Sequence, residues 1–292
     1  MNETKIINRL STVGIAGNIA LVVFKLYAGI AGHSGAMVSD AVHSLSDVFA
    51  TLVAYIGVRI SKKAPDQDHP YGHDRLECVA SMILGMILLA TGFGIGLNGV
   101  TQIAAGHYEQ LAVPSAIALA AAVVSIVSKE GMFWYTRHYA KKLNSSAFMA
   151  DAWHHRSDAL SSVGSLIGIG GAMLGVPVME PIACVAICLC ILKVAYDILK
   201  DSIDKMLDTA CSPEYEASLR SFIAEQDGVR RVDKLQTRRF GSKIYIDAEI
   251  GVDGSISLFE AHAIAERVHN AVEKRDQEVK HIMIHENPVM DV

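Results

Sequence analysis

Six long apolar segments occupy the first two thirds of the chain, and they restrict its fold more than any other feature. With about 20 apolar residues as the length that crosses a bilayer, we predict six spans. They cover residues 11–31, 35–60, 77–105, 112–138, 147–175 and 178–204. Backbone groups in hydrocarbon must hydrogen-bond within their own segment, so each span is predicted to be a helix.

The connections between these spans alternate in charge. Three of them, at 32–35, 106–110 and 175–180, contain no Lys or Arg, whereas the N-terminal segment and the two other connections are basic. Basic connections remain in the cytoplasm. We therefore predict a multi-pass protein of the cytoplasmic membrane with both termini in the cytoplasm.

The composition supports a membrane protein with a soluble part. Hydrophobic residues make up 51% of the chain, charged residues make up 20%, and the mean hydropathy is +0.30. The net charge of -5 is unfavourable for nucleic acid, which is bound by basic surfaces. The five cysteines show no paired spacing, so we expect reduced thiols rather than a disulfide framework.

Two features inside the spans have structural interpretations. Gly94, Gly96 and Gly99 match a dinucleotide-binding fingerprint, but they lie in an apolar helix with no preceding strand. Close helix packing is therefore the better interpretation. Lys25 in the first span is expected to reach the interface or to pair with another polar group.

The composition becomes polar after Leu207, and the pattern changes to that of a small α+β domain. Helices are predicted at 213–226 and 258–274, and strands at 229–239, 243–252 and 279–285, from capping residues and alternating apolar positions. The order α-β-β-α-β predicts a ferredoxin-like cytosolic domain. We place the domain boundary between residues 1–208 and 209–292.

A repeated motif, D-A-x-H-x-x-x-D, occurs in the second span at 40–47 and again in the fifth span at 151–158. On a helix, residues three and four apart share one face, so each copy presents Asp, His and Asp as a stripe. Titratable groups are costly in hydrocarbon, which makes a functional site the default hypothesis. Hydrogen bonding between helices is the alternative. Two imidazoles with two carboxylates suit tetrahedral Zn²⁺, and Cd²⁺, Co²⁺ or Fe²⁺ are also acceptable.

These motifs are similar to those of the cation diffusion facilitators, six-helix divalent metal transporters with a cytosolic C-terminal domain. The resemblance covers nearly the whole chain. It implies a transport site, of the zinc-preferring variety, formed by His43, Asp47, His154 and Asp158. Asp40 and Asp151, one turn earlier, would line the same path as relay groups or serve a structural role.

The basic loop after the second span contains a second candidate site. Asp66, His69 and His73 have metal-ligand chemistry, and a solvated loop is the alternative that the residues leave open. The resemblance implies a surface zinc site at these three positions. It also implies a charge interlock between Arg75 and Asp208 near a dimer interface.

A third candidate site lies in the cytosolic domain. The resemblance implies metal binding there by several histidines and an acid. The corresponding residues are Asp233, Glu249, His262 and His285. Asp233 and Glu249 lie at positions that hold histidine in some relatives, so the number of ions bound stays open. His285 lies at the end of a strand, where simple solvent exposure is the alternative to metal binding.

Proton-coupled exchange is the mechanism that we expect. Imidazole binds metal when it is neutral, and carboxylate binds metal when it is ionised. Protons and metal therefore compete for the same atoms. The chain is thus predicted to export Zn²⁺ from the cytoplasm by proton antiport with alternating access. Expected partners are the divalent metal ion, protons, the lipid bilayer and, through the resemblance, a second copy of the chain. No cofactor is expected, and Zn²⁺ is both substrate and regulatory ligand.

Other functions stay open at this point. The same site could carry Fe²⁺, Mn²⁺ or Cd²⁺, because ligand type alone does not fix the ion. A metal-binding scaffold or sensor that partners a related transporter is a further alternative. An intramembrane metallohydrolase needs a motif such as H-E-x-x-H, which the sequence lacks, so no enzyme activity is expected.

Overall fold

The computed structural model describes residues 3–31, 35–106, 116–173 and 179–290. The chain divides into two compact units, Met1–Ser202 and Ile203–Val292. The sequence places the boundary six residues later, at 208/209. The division falls earlier because the helix that ends the first unit continues to Met206, and its last turn is counted with the second unit.

Long helices build the first unit. They are α1 (Glu3–Ala31), α2 (Gly35–Ser61), α3 (Leu76–Ala105), α4 (Ala116–Lys142), α5 (Ser146–Met173) and α6 (Met179–Met206). Each predicted span corresponds to one of these helices. The largest difference is at α1, which begins at Glu3 rather than at residue 11 because the polar residues before the apolar run continue the helix.

Two of the described helices are long and apolar enough to cross a membrane by length and composition alone. They are Glu3–Ala28 within α1, and α3. In α4 and α5 the apolar sequence is interrupted by charges, among them Lys129, Asp151 and Asp158. These charged residues belong to the polar interior described below.

The connection between α4 and α5 is short and well defined. Asn144 has a φ of 48°, a left-handed conformation that Asn tolerates better than most residues. The Ser145 hydroxyl accepts a hydrogen bond from the backbone N–H of Phe148 at 3.2 Å, as an N-cap does. This turn packs α4 against α5, and the buried Phe148 joins the hydrophobic core that also contains residues of α1, α2 and α3.

Glycines allow α3 to approach its neighbours closely. A Cβ at Gly96 would collide with Cys188 of α6. A Cβ at Gly92 would lie 2.8 Å from Ile191, which also belongs to α6. The packing interpretation of the glycine motif is confirmed at Gly96. Of the five cysteines, Cys78, Cys188, Cys190 and Cys211 are free thiols, as expected.

The second unit has the predicted order of elements. They are α7 (Pro213–Ala224), β1 (Arg231–Phe240), β2 (Lys243–Asp253), α8 (Leu258–Arg275) and β3 (Val279–Val289). β2 is the central strand, antiparallel to β1 and parallel to β3. β3 is four residues longer than predicted because it pairs with β2 as far as Asp253 and Val289.

Both helices of this unit begin with the predicted caps. Ser212 precedes Pro213 and accepts a hydrogen bond from the backbone of Tyr215, while Ser257 and Glu260 form a capping box. The apolar face of each helix lies on the sheet, and the buried core includes Ile223, Val268, Ile246, Ile250 and Ile282. The second unit therefore has a continuous core of its own.

Candidate metal centre

Three of the predicted ligands meet inside the first unit. Asp47 of α2 and His154 of α5 lie side by side, with 3.3 Å between Oδ1 and Nε2. Asp158 follows one turn after His154, and ligand atoms of all three lie within 4.8 Å of one another. All three side chains are buried. The two helices thus form a His-and-carboxylate cluster without a contribution from any loop.

A lysine that the sequence analysis does not assign to the site lies inside this cluster. Lys129 of α4 is 2% exposed, and its Nζ donates to Asp47 Oδ2 at 2.5 Å and to Asp158 Oδ2 at 3.1 Å. A buried ammonium requires such partners, because an isolated charge in a low-dielectric interior is strongly destabilised. Lys129 is therefore the counter-ion of the two carboxylates.

The signal for Lys129 was present in the sequence. It lies within the fourth predicted span, and an ionisable residue inside a span is a functional candidate by default. The repeated motif directed attention to α2 and α5, whereas nothing in the sequence of α4 marks which face of that helix meets them. The adjacent Glu130 is not part of the cluster, since it pairs with Arg156 at 3.2 Å.

Further hydrogen bonds hold the ligands from behind. Asn18 of α1 accepts from Lys129 at 3.1 Å and donates to Thr51 at 3.2 Å. Thr51 in turn donates to Asp151 Oδ1 at 3.0 Å. This chain of contacts links four helices, so the positions of the ligands depend on the packing of the whole unit.

Asp151 therefore lies beside the cluster rather than among its ligands. Its second carboxylate oxygen is 3.7 Å from Nε2 of His155, and the His155 side chain is fully buried. Its partners are thus Thr51 and His155, which fits either of the predicted roles, relay or structural. Asp40 and His43 lie on α2, His43 one turn before Asp47, but their side chains fall outside the described part of the structure.

The predicted loop site is also brought together. Nδ1 of His69 is 3.2 Å from Asp66 Oδ1, Nε2 of His73 is 3.4 Å from Asp66 Oδ2, and the two rings are 4.5 Å apart. The turn that permits this contains Gly72, with a φ of 91°, which only glycine adopts readily. Hydrogen bonds from Lys63 and from the backbone of His69 hold the pKa of the Asp66 carboxyl well below its usual value.

The four candidate ligands in the cytosolic unit do not form one cluster within the chain. Asp233 and Glu249 both accept from the amide of Asn287, at 2.9 and 3.3 Å, and His262 is 3.9 Å from Glu286. Among the described residues, none of the groups close enough to share an ion includes His262 or His285. The amide of Asn287 thus satisfies the two carboxylates, and His262 has Glu286 as its neighbour instead.

The predicted charge interlock joins residues of different units. Arg75 immediately precedes α3 in the first unit, and Asp208 follows α6 in the second with a φ of 57°. The interlock stays a prediction.

Comparison with known proteins agrees with the division into two parts. The model of the cation efflux transmembrane domain matches residues 11–207, and that of the cation efflux protein cytoplasmic domain matches residues 211–289. Metal tolerance protein C1 of Arabidopsis thaliana is 33% identical over 96% of this chain, which spans 62% of that protein's length. An uncharacterized transporter of Methanocaldococcus jannaschii is 37% identical over 89% of this chain and 91% of its own. The manganese efflux system protein MneP of Bacillus subtilis is 28% identical over 98% of each chain.

Proposed function

The chain belongs to the cation efflux, or cation diffusion facilitator, family of membrane-embedded metal transporters, and on this basis we propose that it exports Zn²⁺ from the cytoplasm in exchange for protons. The observation that carries the proposal is the buried meeting of Asp47, His154 and Asp158. An imidazole and two carboxylates in one place suit a borderline-soft divalent ion. His43, one turn before Asp47 on α2, is proposed as the fourth ligand.

Lys129 gives this site a property that the ligands alone do not have. An ammonium and a dication about 4 Å apart repel by about 8 kcal/mol at an effective dielectric constant of 20, twice the value for unit charges. Zn²⁺ can therefore bind between Asp47 and Asp158 only when Lys129 moves away from them or gives up its proton. We propose that metal and lysine alternate as counter-ions of the same carboxylates, so that occupancy of the site is transmitted to α4.

Proton coupling follows from the same ligands. The imidazole of His154 must be neutral and the carboxylates ionised to bind metal. Nε2 of His154 faces Asp47, whereas its Nδ1 is buried and makes no hydrogen bond within the described residues, so the neutral ring can carry its proton on Nδ1 and leave Nε2 for the metal. Alternating exposure of the site to the two sides of the membrane would then exchange the ion for protons.

The remaining features of the transporter are proposed with it. All six long helices cross the cytoplasmic membrane, with both termini in the cytoplasm. The charged residues that interrupt the apolar sequence of α4 and α5 face the polar interior. The domain matched over residues 211–289 is a dimerisation domain, and we propose a homodimer. The cluster of Asp66, His69 and His73 would bind a second, more accessible Zn²⁺.

Mn²⁺ is the second candidate substrate, and the relation to MneP favours it. Carboxylates suit Mn²⁺ as well as Zn²⁺, whereas imidazole ligands favour Zn²⁺. The discriminating ligands are thus His154 and His43. If Mn²⁺ is the substrate, the rest of the proposal is unchanged.

The test is metal flux into proteoliposomes that contain the purified full-length chain. Zn²⁺, Mn²⁺, Fe²⁺ and Cd²⁺ are compared with and without an imposed pH gradient. We expect Zn²⁺ to move fastest and the gradient to accelerate it. A Zn²⁺ flux that is the same with and without the pH gradient would refute antiport. A Mn²⁺ flux faster than the Zn²⁺ flux would make Mn²⁺ the substrate in place of Zn²⁺.

A matched pair of variants tests the site. Asp158→Ala removes a ligand and should abolish flux, whereas Asp227→Ala removes a carboxylate that is 96% exposed in the cytosolic unit and should leave flux unchanged. Retained flux in Asp158→Ala would contradict the site. A scaffold or sensor would bind metal in the wild-type chain without moving any ion, and the same liposomes detect that outcome.

A further inference from the structure

The cytosolic unit contains a second cluster of metal-ligand type that lies at none of the positions assigned above. Nε2 of His269 is 3.0 Å from Oε1 of Glu273, and Nδ1 of His281 is 3.5 Å from the same oxygen. The two rings are 5.2 Å apart, and ligand atoms of the three residues lie within 4.8 Å of one another. Two imidazoles therefore converge on one carboxylate.

We propose that His269, Glu273 and His281 bind a Zn²⁺ ion. A tetrahedral zinc ion with bonds of about 2.0–2.1 Å holds its ligand atoms about 3.3–3.4 Å apart. The two measured separations from the Glu273 oxygen lie on either side of this value. Two nitrogens and one carboxylate oxygen favour Zn²⁺ over Mg²⁺ or Ca²⁺, which prefer oxygen ligands only. Three protein ligands leave a fourth position for water.

The backbone fixes the relative positions of the three residues before any ion binds. His269 and Glu273 are four residues apart in the last turns of α8, so they share one face of the helix. His281 is the third residue of β3, and its register is set by pairing with Tyr245 of the central strand. Rigid elements hold ligand geometry better than loops do.

The connection between α8 and β3 is equally constrained. The backbone N–H of Asp276 donates to Val272 and that of Val279 donates to the carbonyl of Asp276. The Asp276 side chain accepts from Tyr215 Oη of α7 at 2.8 Å and from the backbone of Glu278 at 2.9 Å. These bonds fix the distance from the helix to the strand, and hence from Glu273 to His281.

The ordinary alternative is a pair of surface His–Glu contacts without an ion. The side chains of His269, Glu273 and His281 are 31%, 36% and 47% exposed, so an ion has access and each group could also be solvated. Exposed pairs of this kind contribute about 0–1 kcal/mol. The two interpretations differ in whether residue 281 contacts a bound ion, and that difference can be measured directly.

The decisive variant is His281→Cys in the full-length chain, with Co²⁺ as a spectroscopic substitute for Zn²⁺. A thiolate bound to Co²⁺ gives a charge-transfer band in the near ultraviolet that imidazole does not give. The matched control is Met283→Cys, an exposed residue two positions further on the same strand. We expect the band in His281→Cys, above the wild-type spectrum with its native cysteines, and none in Met283→Cys. Equal spectra for the two variants would overturn the proposal.

Zinc stoichiometry at buffered free metal provides the second measurement. His269→Ala should bind one Zn²⁺ fewer per chain at this free metal concentration, because loss of a direct ligand should cost at least the roughly tenfold in affinity that loss of an outer-shell partner costs. Unchanged stoichiometry in a variant with a wild-type circular dichroism spectrum would also contradict the site. Both measurements are independent of transport. They can therefore contradict this zinc site while the proposed transport function holds, and they can support the site while the transport function fails.

Discussion

Two of the His-and-carboxylate clusters, that of Asp47, His154 and Asp158 and that of His269, Glu273 and His281, differ chiefly in how their negative charge is balanced. In the membrane unit Asp47 and Asp158 are buried and share the ammonium of Lys129. In the cytosolic unit a single carboxylate, Glu273, lies between two half-exposed imidazoles. The first cluster already holds a cation that a metal must displace, whereas the second offers three partly exposed ligands that water and protons can reach.

This difference suits the two tasks proposed for the sites. A transport site has to release its ion, and an internal lysine that returns to the carboxylates assists release by replacing the departing charge. A site that only senses or stabilises can keep its ion as long as the free concentration allows. Burial with a competing cation is thus expected at the transport site, and exposure on a rigid scaffold at the other.

The largest effect is expected from Lys129→Met. Removal of one partner from a buried ion pair costs about 3–5 kcal/mol, because Asp47 and Asp158 lose their counter-ion. Added Zn²⁺ should restore more stability to this variant than to the wild type, since it no longer displaces an ammonium. Thermal unfolding followed by tryptophan fluorescence reports on this unit, as both tryptophans lie in α4 and α5.

The control for this comparison is Lys62→Met. Lys62 directly follows α2, outside the predicted spans, and pairs at 3.3 Å with Glu3, whose side chain is 60% exposed, and exposed pairs contribute about 0–1 kcal/mol. Equal stability of the two lysine variants, or a smaller zinc response in Lys129→Met than in the wild type, would contradict the role of Lys129 as counter-ion.

The sequence predicted one cluster better than the other for a physical reason. Asp47, His154 and Asp158 belong to a motif that occurs twice, so the helical period alone placed them on matching faces. Lys129 comes from a helix without that motif, and its contact with α2 and α5 depends on how α4 packs. His269 and Glu273 have ordinary helical spacing, which many solvated helices show, and only the register of β3 adds His281.

Element boundaries were predictable where local chemistry defines them. Ser212 and Ser257 mark the helix starts through their caps, and the alternation in β2 sets its faces. The end of β3 was not predictable, because it is determined by the length of the neighbouring strand β2 rather than by the residues of β3. Local signals therefore gave the elements, and contacts between elements gave the sites.

A smaller effect is expected from Thr51→Val, which tests the support behind the membrane cluster. The variant keeps the shape of the side chain but removes the donor to Asp151 and the acceptor of the Asn18 amide. A buried carboxylate oxygen that loses its partner costs about 1–3 kcal/mol. Tryptophan-detected unfolding should show this loss, while Zn²⁺ affinity should fall less than in Asp158→Ala, because Thr51 supports the ligands without contacting the ion. A loss of affinity as large as that of Asp158→Ala would instead place Asp151 among the ligands.

The corresponding test of the cytosolic cluster is Tyr215→Phe. It removes the hydrogen bond to Asp276, at a cost of about 1 kcal/mol, and should weaken Co²⁺ binding because the α8–β3 connection loosens. Burial, followed by the bond to Asp276, raises the pKa of Tyr215 above its ordinary value.

The pH dependence of this variant has a definite sign. A raised pKa in the folded protein favours the protonated hydroxyl, so its stabilising contribution is complete below the ordinary tyrosine pKa of about 10 and decreases as the pH rises above it. Tyr215→Phe should lack this decrease. Hydrogen exchange of α8 at pH 9 and above, in both chains, measures the difference, and parallel curves would contradict the linkage.

The smallest effect is expected from Ser257→Ala at the other end of α8. The capping box of Ser257 and Glu260 is lost, which costs about 1 kcal/mol and should increase hydrogen exchange in the first turn of the helix. His269 and Glu273 lie about three and four turns away, beyond the range of fraying from a lost cap, so Co²⁺ affinity should equal that of the wild type. If affinity falls as far as in Tyr215→Phe, the cluster depends on the stability of the whole helix, and the connection to β3 has no special part in holding His281 against Glu273.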